Sequence, residues 1–130
     1  MSLALDTSIL ISIEKGDQEI IRKLNELSKK YLLPPQLPFT SYFEFLVGLK
    51  IRKPKKYEEI LNFFRKFNVL QTTNRTADIL SNLKIKYDKL GIILSLADLL
   101  SASQVIENQL ILITRDKDFE KIEELKKIIL

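Results

Sequence analysis

The chain has no cysteine and no histidine in its 130 residues. Without cysteine there are no disulfides, no zinc–thiolate sites and no thiol nucleophile, and without histidine the commonest general base is missing. Any catalysis must rest on carboxylates, hydroxyls, amines or a metal ion. Long apolar runs are lacking too. No stretch approaches the roughly 18 apolar residues of a membrane span, and the start MSLALDTSIL is not a basic leader followed by a long apolar segment. A cytoplasmic protein without membrane association is expected.

At 15.1 kDa the chain is read as one domain over 1–130, long enough to bury roughly two-thirds of its unfolded surface without staples. Lys and Arg number 21 against 17 Asp and Glu. If several of those acids are gathered round a cation, the remaining surface is more basic than the net +4 indicates, which favours a polyanionic partner. The basic residues are densest at Lys50, Arg52, Lys53, Lys55 and Lys56. The plainer reading of such a run is a solvated Lys/Glu surface.

Periodicity predicts a strand over 3–5 ending at Asp6, then one or two helical turns over 8–14 that Gly16 breaks. A helix capped by Asp17 follows, carrying Ile20, Ile21, Leu24 and Leu27 at helical spacing. A second strand is expected over 31–33. The PPQLP that follows should have no regular structure, because its prolines remove donors and fix φ. Helices over 41–51 and 57–67 form a pair. A third strand over 68–71 precedes a helix over 74–90 stopped by Gly91, and 95–107 reads as a central helix apolar nearly all round. A strand over 110–114 and a short helix over 118–127 complete the chain. Apolar runs alternating with helices imply an α/β three-layer sandwich, with a mostly parallel sheet of four to five strands flanked by helices.

Four acids stand beside apolar segments: Asp6 in LALDTSIL, Glu44 in SYFEFLVGL, Asp98 in LSLADLLSA and Asp116 in LILITRDKDF. In parallel sheets ligands bind outside the carboxyl ends of the strands. Asp6 and Asp116 lie at or just past two such ends, and Glu44 and Asp98 lie in helix first turns that can face the same crevice. Each acid also has a local reading. Ser41-x-x-Glu44 and Ser95-x-x-Asp98 have the capping-box spacing, while Asp6, Asp116 or Asp118 can cap the helix that follows it. Capping explains each acid singly but gives no reason for two to lie past strands of one sheet. A carboxylate cluster without His or Cys suits a hard cation.

In order and spacing these motifs resemble the PIN-domain ribonucleases and, within them, the VapC-type toxins of prokaryotic toxin–antitoxin pairs. Asp6-Thr7-Ser8 ends the first strand, Glu44 to Leu49 matches E-x-x-x-G-L, Asp98 opens an apolar helix, and Thr114 to Phe119 matches T-x-D-x-x-F. The segment with Pro34, Pro35 and Pro38 is richer in proline than the family pattern, and the last motif offers both Asp116 and Asp118, of which Asp116 is preferred.

The resemblance implies a PIN-like fold and a ribonuclease with Mg²⁺, or alternatively Mn²⁺. Asp6 and Asp98 would be the main ligands, with Glu44 and Asp116 completing the set directly or through waters. Thr7, Ser8 or Thr114 would support a carboxylate or a water by its hydroxyl, an ordinary turn hydroxyl being the other reading of each. RNA would lie along Lys50, Arg52 and Lys53. The implied partners are an RNA substrate, a VapB-type antitoxin and a second copy of the chain in a homodimer. Phe39, Tyr42, Phe43, Phe45, Phe63 and Phe64 would offer the antitoxin an apolar groove, though each is also a natural core residue.

Other magnesium-dependent α/β classes fit less well. A receiver-type phosphoacceptor needs adjacent acids after its first strand, and Asp6 has no acidic neighbour. A haloacid-dehalogenase-type phosphatase needs Asp-x-Asp there, and Ser8 holds the second position. A PIN nuclease of RNA or ribosome maturation, or a PIN-like scaffold that binds RNA without cleaving it, remains as the alternative.

Overall fold

The computed structural model describes residues 1–31 and 34–130. Its frame is a sheet of five strands, β1 (Leu3–Leu5), β2 (Gln36–Leu37), β3 (Asn68–Val69), β4 (Ile111–Thr114) and β5 (Lys127–Ile129), in the order β3-β2-β1-β4-β5. Every pairing is parallel. The first strand is therefore the central one. Its residues Leu3, Ala4 and Leu5 pair with Ile111, Leu112 and Ile113.

Because successive side chains of a strand point to opposite faces, one strand feeds two cores. Ala4 and Leu112 pack with Leu83 and Tyr87 of α5 (Asn74–Lys89) and with Leu99, Ala102 and Val105 of α6 (Leu96–Glu107). Leu3, Leu5 and Ile113 pack on the other face. There they meet Ile9 and Leu10 of α1 (Thr7–Glu14), Ile20 of α2 (Gln18–Ser28), Phe45 and Leu49 of α3 (Phe39–Arg52), and Leu61 and Phe64 of α4 (Tyr57–Phe64). Helices thus cover both faces, and the central strand β1 and the Ile111–Ile113 part of β4 read as unbroken apolar runs, as strands buried on both sides do.

The helix ends follow local chemistry. Asp17 caps α2 by accepting from the Ile20 N–H at 3.3 Å. Gly91 adopts φ +70° after α5, and the Gly91 and Ile92 N–H groups close on the Asp88 and Tyr87 carbonyls at 3.1 and 3.0 Å, a Schellman stop.

Two sequence expectations are corrected. The PPQLP segment, expected to have no regular structure, holds the second strand of the described residues. Of the strand expected over 31–33, Tyr31 is irregular and 32 and 33 lie outside the described residues; the strand described is Gln36–Leu37 inside the proline segment. Proline disfavours the helical region for the residue before it, so Pro38 biases Leu37 toward the extended backbone that a strand needs. The expected helix over 118–127 is a short 3-10 turn, Lys117–Lys121, after which the chain becomes β5. Edge pairing wins there: Leu112 N–H donates to the Lys126 carbonyl at 2.9 Å, Leu130 N–H to the Thr114 carbonyl at 2.8 Å, and Ile128 and Ile129 are good strand formers. The predicted 68–71 strand and 57–67 helix are both shorter than expected.

Candidate metal centre

The chain runs on from β1 toward β2 and from β4 toward β5, so the connections diverge and the switch point of the sheet lies at the carboxyl ends of β1 and β4. Asp6 begins there, its N–H tied to the Ile113 carbonyl at 3.0 Å. It occupies the N-cap position of α1, yet its side chain makes no capping bond. Its carboxylate instead accepts three hydroxyls. Ser8 donates to Oδ2 at 3.1 Å, Thr114 donates to Oδ2 at 2.8 Å, and Ser41 donates to Oδ1 at 3.2 Å. Asp6 is 8% exposed, so these bonds orient a nearly buried charge. The hydroxyls are held in their turn: Arg115 N–H donates to Ser8 Oγ and Asp116 N–H donates to Thr114 Oγ1, both at 3.0 Å.

Glu44 does not close a capping box. Its helix starts at Phe39 after Pro38, two residues before Ser41, so Ser41 is free to serve Asp6. Glu44 is exposed, and its carboxyl is raised above its usual range by partial burial and by the charge of Asp6. Asp98 sits in the first turn of α6, where Ser95 caps the helix by accepting from the Asp98 N–H at 3.1 Å. Partial burial, then the charge of Asp116, then those of Asp6 and Glu44 push the Asp98 carboxyl up to about 6, against a lowering contact from Ser95. Asp98 therefore senses all three of the other acids.

Asp116 is both a cap and a neighbour of Asp98. Its Oδ1 accepts from the Asp118 N–H at 2.9 Å, and carboxylate oxygens of Asp98, Asp116 and Asp118 lie within 4.8 Å of one another. Asp118 is exposed and shared with Lys121 at 3.2 Å. Asp6 and Glu44 lie outside that tight group of three. Among the described residues no Lys or Arg forms an ion pair with Asp6, Glu44, Asp98 or Asp116. An all-oxygen donor set lacking a basic partner fits a hard divalent cation, which keeps several waters and takes few carboxylates directly.

Of the remaining candidates, Thr7 turns away, its hydroxyl donating to the Ser41 carbonyl at 3.1 Å and tying α1 to α3. Lys50 and Lys53 are exposed at the far end of α3, roughly 9 Å and 13 Å along the axis from Glu44 at the usual helical rise. Arg52 forms a two-pronged pair with Glu14 at 2.7 and 2.5 Å. Phe45 and Phe64 are core residues at 1% exposure, with ring centres 4.5 Å apart. Phe39, Phe43, Val47 and Ile51 form an exposed stripe at four-residue spacing along α3. The sequence reading missed Ser41 as a partner of Asp6. It also missed Thr40 and Ser101, whose hydroxyls bond to each other between α3 and α6. Serines and threonines next to helix starts look like caps, and nothing in the pattern separates the two uses.

The PIN domain family model matches residues 3–125. The chain belongs to the PIN-domain family. Solved structures with the same fold include VapBC2 from Rickettsia felis bound to a DNA fragment from their promoter. That likeness has a TM-score of 0.82 at 23% identity and covers 100% of this chain and 99% of that one. VapBC-1 from nontypeable Haemophilus influenzae matches with a TM-score of 0.80 at 24% identity, over 99% and 98% of the two chains. VapBC-5 of the VapBC toxin–antitoxin family from Mycobacterium tuberculosis matches with a TM-score of 0.74 at 21% identity, over 100% of both. No curated protein matches the chain in sequence. No described helix is long and apolar enough to cross a membrane.

Proposed function

We propose that the protein is a metal-dependent endoribonuclease of the VapC type, the toxin of a toxin–antitoxin pair. The observation that carries this reading is the group of Asp98, Asp116 and Asp118, whose carboxylate oxygens lie within 4.8 Å of one another, with Asp6 and Glu44 near enough to raise the Asp98 carboxyl and no described Lys or Arg paired with Asp98 or Asp116. The neighbouring VapBC structures support the toxin assignment over an RNA-maturation role.

Asp98 and Asp116 would hold a Mg²⁺ or Mn²⁺ ion with the help of Asp6, and Asp118 can share the outer side of the site. When bound, the ion supplies Lewis-acid activation of water and charge stabilisation on the phosphate. The residues of the chain do the rest. Ser8, Thr114 and Ser41 fix the Asp6 carboxylate so that its direction does not depend on the substrate. Glu44 stands at the exposed edge, where it can orient a water by hydrogen bond and receive its proton. The parallel sheet holds Thr114 at the end of β4 and Asp6 just past the end of the adjacent β1, which keeps the geometry from relaxing when the acids repel one another. The exposed stripe from Phe39 to Ile51 is the surface that best suits an antitoxin segment or a second copy of the chain.

The test is cleavage of single-stranded RNA by the purified protein with Mg²⁺, with Mn²⁺ and with EDTA, together with growth on expression. Cleavage and growth arrest are expected for the wild type and not for Asp6→Asn or Asp98→Asn, both folded by circular dichroism. Full activity in either variant, or in EDTA, sinks the assignment.

A further inference from the structure

The cations that the sequence offered for RNA stand at the far end of α3, and Arg52 is committed to Glu14. Different cations border the acids. Arg115 directly follows Thr114, and its backbone N–H donates to Ser8 Oγ, which donates in turn to Asp6 Oδ2. Its guanidinium reaches the other way, where Nη1 donates to Ser12 Oγ at 3.0 Å and to Asp17 Oδ2 at 3.3 Å. An open pocket of about 350 Å³ is lined there by Ser8, Ile11, Ser12, Lys15, Asp17 and Arg115. Ser8 is thus a wall shared by this pocket and the acidic one.

The chemistry of the pocket is that of an anion site. It holds the cations Arg115 and Lys15 against one anion, Asp17; the Ser8 and Ser12 hydroxyls give their protons to Asp6 Oδ2 and the Ser8 carbonyl and serve there to hold Arg115. Both side-chain bonds of Arg115 use Nη1, so among the described residues Nη2 and Nε have no partner in the chain. Those groups form the fork that suits a phosphate held by two hydrogen bonds. Lys15 is exposed and has no ion pair among the described residues. Asp17 also caps α2 through the Ile20 N–H, so it anchors Arg115 from a fixed position. A polyanion laid over a cluster of carboxylates is repelled unless cations stand beside them, and here they stand one side chain away.

We propose that Arg115 and Lys15 form a phosphate subsite that grips a backbone phosphodiester of a nucleic-acid strand, adjacent to the phosphodiester over the acids. The proposal rests on the nuclease reading for its choice of ligand. It makes Arg115 a substrate-positioning residue and gives the α1–α2 turn a role in holding the strand.

The experiment measures binding of a short fluorescein-labelled single-stranded RNA of mixed sequence to the full chain in EDTA, across a series of salt concentrations. Arg115→Gln is expected to weaken binding about ten-fold and to reduce the salt slope by about one. Arg115→Lys should restore the slope but only part of the affinity. Lys15→Gln, at an exposed position, should weaken binding about three-fold. Single-stranded DNA of the same sequence should show the same losses, since a phosphate contact does not sense the 2′-hydroxyl. Unchanged affinity and slope in folded Arg115→Gln and Lys15→Gln overturn the subsite, as does a loss confined to RNA. The nuclease reading fails separately. If Arg115 governs binding while no divalent ion supports cleavage, the subsite stands and the enzyme assignment falls; if Asp6→Asn abolishes cleavage while both cation variants bind normally, the reverse holds.

Discussion

The Ser41 hydroxyl donates to Asp6 Oδ1 at 3.2 Å from the first turn of α3, a position made possible because Pro38 starts that helix early. Ser41 is 1% exposed, so no water replaces the bond when the hydroxyl is removed. Ser41→Ala is therefore expected to leave Asp6 less well directed and to lower Mn²⁺ affinity or cleavage by about ten-fold, the usual scale for groups that orient metal ligands. Titration calorimetry with Mn²⁺ checks it. Affinity and turnover equal to wild type would show that Ser8 and Thr114 suffice.

The raised Asp98 carboxyl gives a pH dependence of definite sign. Its pKa rises from an ordinary 3.8 to about 6, so the folded, metal-free protein binds a proton more tightly than the unfolded chain does. The stabilisation is complete below about 3.8 and is lost as pH rises through about 6. Binding of a divalent cation has the opposite slope, since the proton must leave first, and should strengthen through that window. Asp98→Asn should flatten this part of the metal-free melting profile in EDTA. A profile as steep as that of the wild type would assign the titration elsewhere.

Arg52 should matter to stability and not to RNA. Glu14 is 6% exposed at its side chain and Arg52 is its partner, itself 43% exposed. Arg52→Ser leaves that carboxylate buried without its partner, and solvent near the Arg moderates the loss to about 1 kcal/mol. A lowered melting temperature with unchanged salt dependence of RNA binding is expected. A changed slope with an unchanged melt would restore Arg52 to the nucleic-acid surface.

Gln104 is fully buried and spans two elements, accepting from the Phe39 N–H at 2.8 Å and donating to the Leu70 carbonyl at 3.2 Å. It satisfies the start of α3, where Pro38 supplies no side-chain cap. Gln104→Leu should cost about 2 kcal/mol, because it strands a donor and an acceptor at the base of the helix that carries Glu44 and Ser41. Chemical denaturation measures this. A loss under half that size would mean water reaches both groups.

The strands and helices with strong periodicity were legible in the sequence, because an unbroken apolar run such as Leu3 to Leu5 and a capped amphipathic helix such as 18–28 each satisfy one pattern. β2 was hidden because its two residues lie between prolines, whose effect on the preceding backbone favours extension as much as it removes donors. β5 was hidden because lysines and glutamates before it mimic a helix, and only the open edge of β4 makes the extended form better. At the candidate site the acids could be named, and so could Ser8 and Thr114 as hydroxyls beside them, both of which donate to Asp6. Ser41 could not, because its contact with Asp6 depends on how α3 meets the end of β1, and no local spacing records that meeting.

The bond from Thr114 to Asp6 joins residues 108 positions apart, and the strand that carries Asp6 is the centre of the sheet although it is made first. During synthesis β1 leaves the ribosome long before the strand that completes its other side. Non-local pairings of this kind close late. A nascent chain therefore carries Asp6 without Thr114, Asp116 or Asp118 while the 108 positions up to Thr114 are being made. Under the proposed nuclease activity, a pocket whose acids stand more than a hundred positions apart is incomplete until Asp116 has been made, and fragments truncated before residue 110 are expected to be inert.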